Sequence, residues 1–246
     1  FVDDLRSADQ IREITKPTDI RHIAALVDQS ETALIFSNVI GYDIPVVSGL
    51  TNSRDRLAIA MDCDFNEIEG RLRAGIDRPI PPRMVNSGPA REILLEGEDV
   101  DLYNLPVPLF SVRDGGPMMT AGITLAEDPE LGLNAGIYRL LVKDKHTTGI
   151  DVVTPNNLRK LAEKAFAKGE ALPISVNIGT HPSALITGCF KAAAGVDEIA
   201  MAGGMLGDAV ELTPCKTVKT PCIANAEIVL EAELLPTGWT KPEGRF

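Results

Sequence analysis

Aromatic residues and histidine are scarce in this chain. Phe, Trp and Tyr make up 4 % of its 246 residues, and only three His are present. No nucleophile elbow built on Ser or Cys accompanies those His, so a nucleophilic hydrolase is not favoured. The four Cys show neither CxxC spacing nor a neighbouring His. This pattern favours buried or idle thiols over a zinc site or thiol redox chemistry.

The chain also lacks a basic excess and a long apolar run. Lys and Arg number 24 against 35 Asp and Glu, a formal net charge of −11. Clusters of cations that would release counterions from nucleic acid or bind an anionic membrane are therefore not expected. No apolar run reaches the roughly 18 residues of a membrane span, and the first residues do not resemble a signal peptide. We expect a cytoplasmic protein with no nucleic-acid partner and no membrane span.

The first 110 residues alternate helix and strand signals, which is typical of an α/β region. Residues 19–27 carry apolar side chains at helical spacing after a Thr18 cap, and Ala33–Phe36 is a short apolar run. A second strand is predicted over 44–47, and two amphipathic helices within 53–76. Six Pro between residues 78 and 108 indicate an extended connector at the end of this region.

Residues 111–246 begin with a period of two, which favours a largely antiparallel sheet or barrel. Apolar side chains at positions 158, 161, 162, 165 and 166 then predict one helix face. The predicted strands cover 118–126, 136–142, 148–153, 173–179, 210–218 and 222–234, and the predicted helices cover 158–166, 182–193 and 196–206. In the last strand, Glu227, Glu231 and Glu233 share one face, which predicts a solvated polar surface.

Arg139 is the first local inconsistency. The period of the predicted strand places its side chain on the same face as Ile137 and Leu141. A guanidinium among apolar neighbours is costly unless an anion pairs with it. Either a carboxylate of the protein or of a substrate meets this requirement, or Arg139 faces water on an edge strand.

Five short segments together resemble the UbiD family of reversible decarboxylases, which use prenylated FMN. The resemblance covers nearly the whole chain, and its weight lies in the order and spacing of the segments. They are Leu-Asn-Ala-Gly-Ile-Tyr-Arg at 133–139, Asp-Lys-His-Thr-Thr-Gly at 144–149, Gly-Val-Asp-Glu at 195–198, Gly-Met-Leu-Gly at 204–207, and Glu-Ile-Val-Leu-Glu-Ala-Glu at 227–233 leading to Pro-Glu-Gly-Arg-Phe at 242–246.

The resemblance implies an α/β (α+β) fold in two parts. Residues 1–110 would form the N-terminal α/β region with its Pro-rich connector. Residues 111–246 would form a flavin-reductase-like split β-barrel that binds prenylated FMN and is incomplete at its C-terminal end. The family's C-terminal oligomerisation domain would be absent from this chain, and the full-length protein would be a homo-oligomer, a dimer or a hexamer.

The resemblance also implies a metal and cofactor site. Asn134, Asn157 and Glu198 would bind Mn²⁺ (or Mg²⁺), which grips the cofactor phosphate, with K⁺ beside it. Asn157 stands where the family has His, and an amide oxygen is still a suitable ligand for these hard cations. The residues in contact with the cofactor would be Asn134, Ala135, Gly136, Ile137, Arg139, Asn156, Asn157 and Glu198.

Two of these assignments have a plain structural alternative. Asn156 or Asn157 precedes the helix that starts near Leu158, so either side chain is suited to be its N-cap. Glu198 near Asp197 is equally consistent with a solvated carboxylate at the start of a helix.

The catalytic residues implied by the resemblance are Arg139 and Glu243. Glu243 would supply the anion that Arg139 requires, and the pair would exchange partners when a substrate carboxylate arrives. A second catalytic Glu of the family would follow Phe246, so residues 1–246 alone are expected to be inactive.

The implied activity is that of a carboxy-lyase. It is the non-oxidative decarboxylation of an aromatic, heteroaromatic or α,β-unsaturated carboxylic acid, with a flavin prenyltransferase as supplier of the cofactor. Two alternatives remain open. One is an FMN-dependent reductase of split-barrel type, and the other is a cofactor-free relative with no activity, for which Asn157 in place of His is the hint.

Overall fold

The computed structural model describes residues 1–152, 155–193 and 195–238. Within these residues, strands β1 to β13 and helices α1 to α7 form a mixed α/β fold, as the sequence predicts. The helices are α1 (Val2–Ser7), α2 (Ile23–Asp28), α3 (Arg54–Ala60), α4 (Ile68–Asp77), α5 (Asn157–Phe166), α6 (Pro182–Gly188) and α7 (Glu198–Leu206). The strands are β1 (Ile11–Ile14), β2 (Ala33–Phe36), β3 (Val46–Ser48), β4 (Arg83–Met84), β5 (Met118–Met119), β6 (Ile123–Asp128), β7 (Gly132–Ile137), β8 (Leu140–Val142), β9 (Thr148–Ile150), β10 (Leu172–Ile178), β11 (Glu211–Pro214), β12 (Pro221–Ile223) and β13 (Ile228–Leu234).

The strands pair into four sheets. A four-stranded antiparallel sheet has the order β13-β10-β6-β7, and three-stranded sheets have the orders β1-β2-β3, β12-β11-β4 and β5-β8-β9. Each order has two ends, so no sheet closes into a barrel within the described residues. The arrangement of these sheets as a split barrel stays a prediction.

The N-terminal sheet packs on α2. Ile23, Leu34 and Phe36 are buried together there, and β1 runs parallel to β2 while β3 runs antiparallel to it. Helix α2 begins later than the sequence predicts, because Thr18 is not its cap. Thr18 forms a bridge with Val39, and the Asp19 side chain accepts hydrogen bonds from Arg21, which makes a turn before the helix.

The four-stranded sheet is covered on both faces. Ile174 and Val176 of β10 pack with α5 residues such as Leu158 in one core. On the other face, Ile123 and Leu125 of β6 pack in a second core that includes residues of α6 and α7. Burial of both faces explains the apolar content of these strands, since neither side meets water.

Polar side chains attach a neighbouring sheet to this one. Asn177 of β10 is fully buried, and its Oδ1 accepts a hydrogen bond from the Ile223 backbone at 2.7 Å. Ser175 donates to the Pro221 carbonyl at 2.6 Å. Buried polar groups are tolerated when they are hydrogen-bonded, and here the bonds fix β12 against β10.

The connector after α4 contributes a strand to the second region. Arg83 in β4 pairs with Glu211 in β11, both through the parallel ladder and through a 2.8 Å ion pair. Further along, the Ala90 N–H donates to the Ala224 carbonyl. The Pro-rich segment therefore runs along β11 and β12.

Helices α4 and α7 meet through glycine. A Cβ at Gly75 would lie 2.6 Å from Met205 Cγ and 2.7 Å from the Met201 carbonyl oxygen. A Cβ at Gly204 would lie 2.6 Å from the Arg78 carbonyl oxygen. The two helices thus approach backbone to backbone, which only residues without a side chain permit.

The substitution Gly75→Ala is expected to lower the free energy of unfolding by about 1–3 kcal/mol, because the added methyl overpacks the helix contact. Gly70→Ala on the same helix is the matched control, since no atom lies within 4 Å of its added Cβ. Alanine has the higher helix propensity by about 1 kcal/mol, so the control is expected to gain stability. Denaturant unfolding measures both, and equal effects of the two substitutions would contradict the close helix contact.

Candidate functional site

Five residues of the resemblance motif, 133–137, lie on one strand, β7. Asn134, Ala135, Gly136 and Ile137 are part of its ladder with β6. Asn134 is buried, and its amide nitrogen Nδ2 makes no hydrogen bond that meets normal geometry with the described residues. A buried amide N–H without such a partner is rare, and it would suit an acceptor atom of a bound group, while the amide oxygen would suit a cation.

Glu198 is the first residue of α7, and it is 2 % exposed. The interpretation of Glu198 as a solvated carboxylate is therefore wrong. Its Oε2 accepts a hydrogen bond from the Ala135 backbone N–H at 2.9 Å, and burial raises the pKa of Glu198 above its ordinary value. The helix start is held by Asp197, whose Oδ1 accepts from the N–H groups of Ile199 and Ala200 at 2.8 and 3.0 Å. This arrangement holds a buried carboxylate against the backbone of β7, at the residue that follows Asn134.

Tyr138 joins three parts of the site. Its ring packs against Gly136, where a Cβ would lie 2.7 Å from the ring carbon Cε2. Burial raises the pKa of the Tyr138 hydroxyl and the nearby Glu198 charge adds to this, while the Asn134 amide and the Leu158 N–H act in the opposite direction. The Tyr138 ring therefore explains why the motif has glycine at position 136, because any side chain there would clash with it. Tyr138 is also a site residue that the sequence analysis did not single out.

The first residues of α5 have divided roles. Asn156 Oδ1 accepts a hydrogen bond from the Arg159 N–H at 2.9 Å, so Asn156 is the N-cap. Asn157 is partly buried, and its Nδ2 donates to the Ala192 carbonyl at 3.2 Å. This bond involves the NH2 group of the Asn157 side chain, so the side-chain oxygen remains able to accept a hydrogen bond or to bind a cation.

Asn134 and Asn157 line the same small cavity. Lys160, Gly195 and Val196 also line it, and it offers about 10 Å³ to the centre of a water-sized sphere. That volume is about the size needed for a single water molecule. The structure thus brings two of the three predicted metal ligands to one cavity, and Glu198 is attached to the same strand through Ala135.

The donor chemistry of this set fits a hard cation. Among the described residues, no group of three His, Cys, Asp or Glu is arranged to hold a metal ion. Asn134, Asn157 and Glu198 instead offer two amide oxygens and one carboxylate, which are ligands of Mn²⁺ or Mg²⁺. The cavity is large enough for a single water or ion, so a cofactor phosphate would lie outside it.

Arg139 lies between β7 and β8, where the chain passes from the four-stranded sheet to the sheet with β5 and β9. The single strand predicted over 136–142 is therefore wrong. Arg139 Nη2 forms an ion pair with Asp151 Oδ2 at 3.1 Å, and the two side chains are 33 % and 30 % exposed. The requirement for a carboxylate is met by Asp151, which the sequence interpretation missed. Glu243 lies outside the described residues.

A wider open cleft lies elsewhere. It holds about 660 Å³ between α4 and the end of α7, and Arg71, Arg78 and Gly207 are among its lining residues. None of the candidate site residues lines it. We therefore do not assign the cofactor or the substrate to this cleft on the basis of its size.

Two sequence-family models match the chain. The 3-octaprenyl-4-hydroxybenzoate carboxy-lyase N-terminal domain matches residues 2–72, and the Rift-related domain of the same carboxy-lyase matches residues 83–246. The chain belongs to the UbiD family. The resemblance inferred from the five sequence segments is thereby confirmed.

Relatives in this family include decarboxylases. The chain is 31 % identical over 247 residues to anhydromevalonate phosphate decarboxylase of Methanothermobacter thermautotrophicus, with 100 % of this chain and 57 % of the relative covered. It also resembles solved structures of UbiD-class enzymes. An evolved dimeric form of HmfF from Pelotomaculum thermopropionicum, in complex with prFMN, has a TM-score of 0.91 and 34 % identity, with 96 % of this chain and 56 % of that chain covered. Apo 3,4-dihydroxybenzoic acid decarboxylase (AroY) from Klebsiella pneumoniae has a TM-score of 0.88 and 30 % identity, with coverage of 96 % and 54 %.

The UbiD-family chain spans just over half the length of these relatives. Their names favour decarboxylation, and they do not favour the reductase or the cofactor-free alternative. In the described part of the chain, no helix has the length and apolar character to cross a membrane.

The substitution Glu198→Gln is expected to stabilise the metal-free protein at neutral pH. Because burial raises the pKa of Glu198, the unfolded state gives up this proton at lower pH than the folded state. Stability is thus lost as pH rises above the ordinary Glu value of about 4.3, and Gln removes the loss. Thermal melts at pH 7 should show a gain of roughly 2–4 °C for each kcal/mol recovered.

Below the ordinary Glu pKa, the two proteins should melt alike. The control Glu170→Gln alters an exposed carboxylate and should leave the melting temperature unchanged at both pH values. A loss of stability in Glu198→Gln at pH 7 would show that the carboxylate is favourably charged in the metal-free fold.

Proposed function

We propose that the protein to which this chain belongs decarboxylates an aromatic, heteroaromatic or α,β-unsaturated carboxylic acid without oxidation, using prenylated FMN. The observation that carries the proposal is the buried Glu198 carboxylate bonded to the Ala135 N–H, beside the orphan amide of Asn134. The HmfF structures in complex with prFMN and with FMN support the choice of cofactor. A flavin prenyltransferase would supply it.

Asn134, Asn157 and Glu198 would hold Mn²⁺ (or Mg²⁺), which with a nearby K⁺ would bind the cofactor phosphate. Two neutral amides and one carboxylate leave a divalent cation with net positive charge, which suits a phosphate dianion. The cofactor contacts would extend along β7 from Asn134 to Ile137 and to Asn156 at the start of α5. When bound, prenylated FMN supplies the electron sink for loss of CO₂.

Arg139 would bind the substrate carboxylate. Its planar guanidinium donates two parallel hydrogen bonds to a carboxylate, and this geometry orients the bond that breaks. Asp151 holds the guanidinium at 3.1 Å, so a substrate carboxylate would exchange with or add to an existing ion pair. Glu243 would act with Arg139 at the same site.

Decarboxylation is tested on the longer protein that contains this chain, produced together with a flavin prenyltransferase and supplied with Mn²⁺. At a flavin occupancy matched to the wild-type protein, Arg139→Met is expected to lose about 100-fold or more in kcat/KM, because the carboxylate loses its charged donors. Carbon dioxide release from a panel of unsaturated and aromatic acids measures the rate, and flavin absorbance measures the cofactor.

Arg73→Met is the matched control for this substitution. Arg73 forms an exposed pair with Glu69 on α4, 3.0 Å apart, so its loss should leave kcat/KM unchanged. Wild-type protein that binds no flavin, or an Arg139→Met variant with full activity, would overturn the proposal.

Lys160 gives a second test, because its side chain lines the cavity shared by Asn134 and Asn157. A phosphate bound beside this cavity would gain a charge-assisted interaction with Lys160, which is worth about 1.5–3 kcal/mol. Lys160→Met should therefore weaken FMN binding by about 10-fold or more, as measured by fluorescence titration. The exposed Lys168, just beyond α5, provides the control variant Lys168→Met with unchanged affinity. Equal affinities of the two variants would place the phosphate elsewhere.

In this account, residues 111–246 would form the split-barrel cofactor region, and the full-length protein would be a homo-oligomer. Similarity to the dimeric HmfF form supports the second expectation. Sedimentation of the longer protein tests it.

A further inference from the structure

A pair of thiols lies at the end of the β11–β12 hairpin. In its register, Thr213 is opposite Cys222 and Pro214 is opposite Pro221. Cys215 follows two residues after Thr213, and alternation along the strand assigns it to the same face as Cys222. Residues placed diagonally across a hairpin in this way are neighbours, and the interaction between the two thiols shifts the pKa of each. This proximity is independent of the cofactor site and of the proposed function.

Glu231 holds the loop that carries the first thiol. Its carboxylate accepts hydrogen bonds from the backbone N–H groups of Lys216 and Thr217 and from the Thr217 hydroxyl, the first at 2.7 Å. The Glu231 charge also raises the pKa of the Cys215 thiol. On the predicted polar face, Glu227 and Glu233 are exposed, whereas Glu231 is half-buried because its carboxylate bonds these groups from the loop after β11.

The second thiol is fixed from the opposite side. Cys222 is 2 % exposed, and its Sγ donates to the Thr213 carbonyl at 3.6 Å. Thr220 donates its hydroxyl to the Pro173 carbonyl at 2.8 Å, and Ser175 bonds the Pro221 carbonyl. The hairpin end is thus anchored on β10, and solvent reaches Cys215 but not Cys222.

We propose that Cys215 and Cys222 are a modification site at which a reversible intramolecular disulfide forms by exchange with a small-molecule disulfide such as oxidised glutathione. The Cys215 thiolate attacks one sulfur of the external disulfide and releases one thiolate, leaving a mixed disulfide. The Cys222 thiolate then attacks the Cys215 sulfur and releases the second. The two protons lost by the protein thiols end on the two released thiols, and the two electrons reduce the external disulfide.

The location of the thiols sets the order of these steps. An external disulfide reaches only the partly exposed Cys215, so the first exchange takes place there. The hydrogen bond with Cys222, burial and the Glu231 charge raise the pKa of Cys215, so the exchange is slow at neutral pH. Mildly alkaline incubation is therefore suited to its detection.

The experiment uses the longer protein that contains this chain, in which the four thiols at positions 63, 189, 215 and 222 are followed and are free in the reduced form. It is incubated with oxidised glutathione at mildly alkaline pH, denatured, alkylated with iodoacetamide and measured by mass spectrometry. We expect the number of alkylated thiols to fall from four to two. Trypsin cuts after Lys216 and Lys219, so the disulfide should appear as a linked pair of peptides that dithiothreitol separates.

Two variants keep the test decisive. Cys215→Ser changes a partly exposed residue and should abolish the linked pair, whereas Cys189→Ser, at an exposed thiol, should leave it unchanged. Circular dichroism shows that both variants are folded. Full alkylation of all thiols after oxidation, a lasting glutathione adduct on Cys215 without loss of the Cys222 thiol, or a linkage through Cys63 or Cys189 would each overturn the proposal.

Discussion

The hydrogen bond from the Ala135 N–H to the Glu198 carboxylate joins the two halves of the candidate site. A carboxylate that is 2 % exposed is costly to ionise, and one backbone bond offsets only part of that cost. The position of Glu198 therefore depends on the rigid elements that carry it. Asp197 caps α7, and the glycine contact with α4 fixes the helix axis. Through this contact the N-terminal region supports the candidate site, although none of the proposed metal ligands belongs to that region.

The remaining side of the site depends on α5. Asn156 uses its side chain to begin the helix, and this leaves Asn157 at the first helical position with its amide turned to Ala192. One turn later, Lys160 reaches the same small cavity. In the proposed site, the neutral amides, one buried carboxylate and a lysine would give a modest total charge. Such a site suits a cation paired with a phosphate better than it suits a cation alone or a phosphate alone.

The sequence predicts the parts of this fold that depend on local chemistry. The apolar periodicity of α5, its Asn156 cap and the β2 strand are confirmed, and the motif residues Asn134 and Glu198 lie close together through Ala135. Contacts between distant segments explain the failures. Arg139 lies at a change of sheet and meets Asp151, and the half-buried Glu231 bonds the loop after β11. Each of these contacts joins two different segments of the chain, so the residue pattern of one strand does not predict it.

The central claim is that Asn134, Asn157 and Glu198 form one cation site with the phosphate of a flavin. Electron paramagnetic resonance of Mn²⁺, titrated with the protein in the presence of FMN, tests it most directly because only free Mn²⁺ gives the sharp six-line signal. The account predicts that wild-type protein removes this signal with one Mn²⁺ bound per chain, and that Asn134→Ala leaves most of it. A free Mn²⁺ signal that wild-type protein and Asn134→Ala reduce equally, or not at all, would contradict the account.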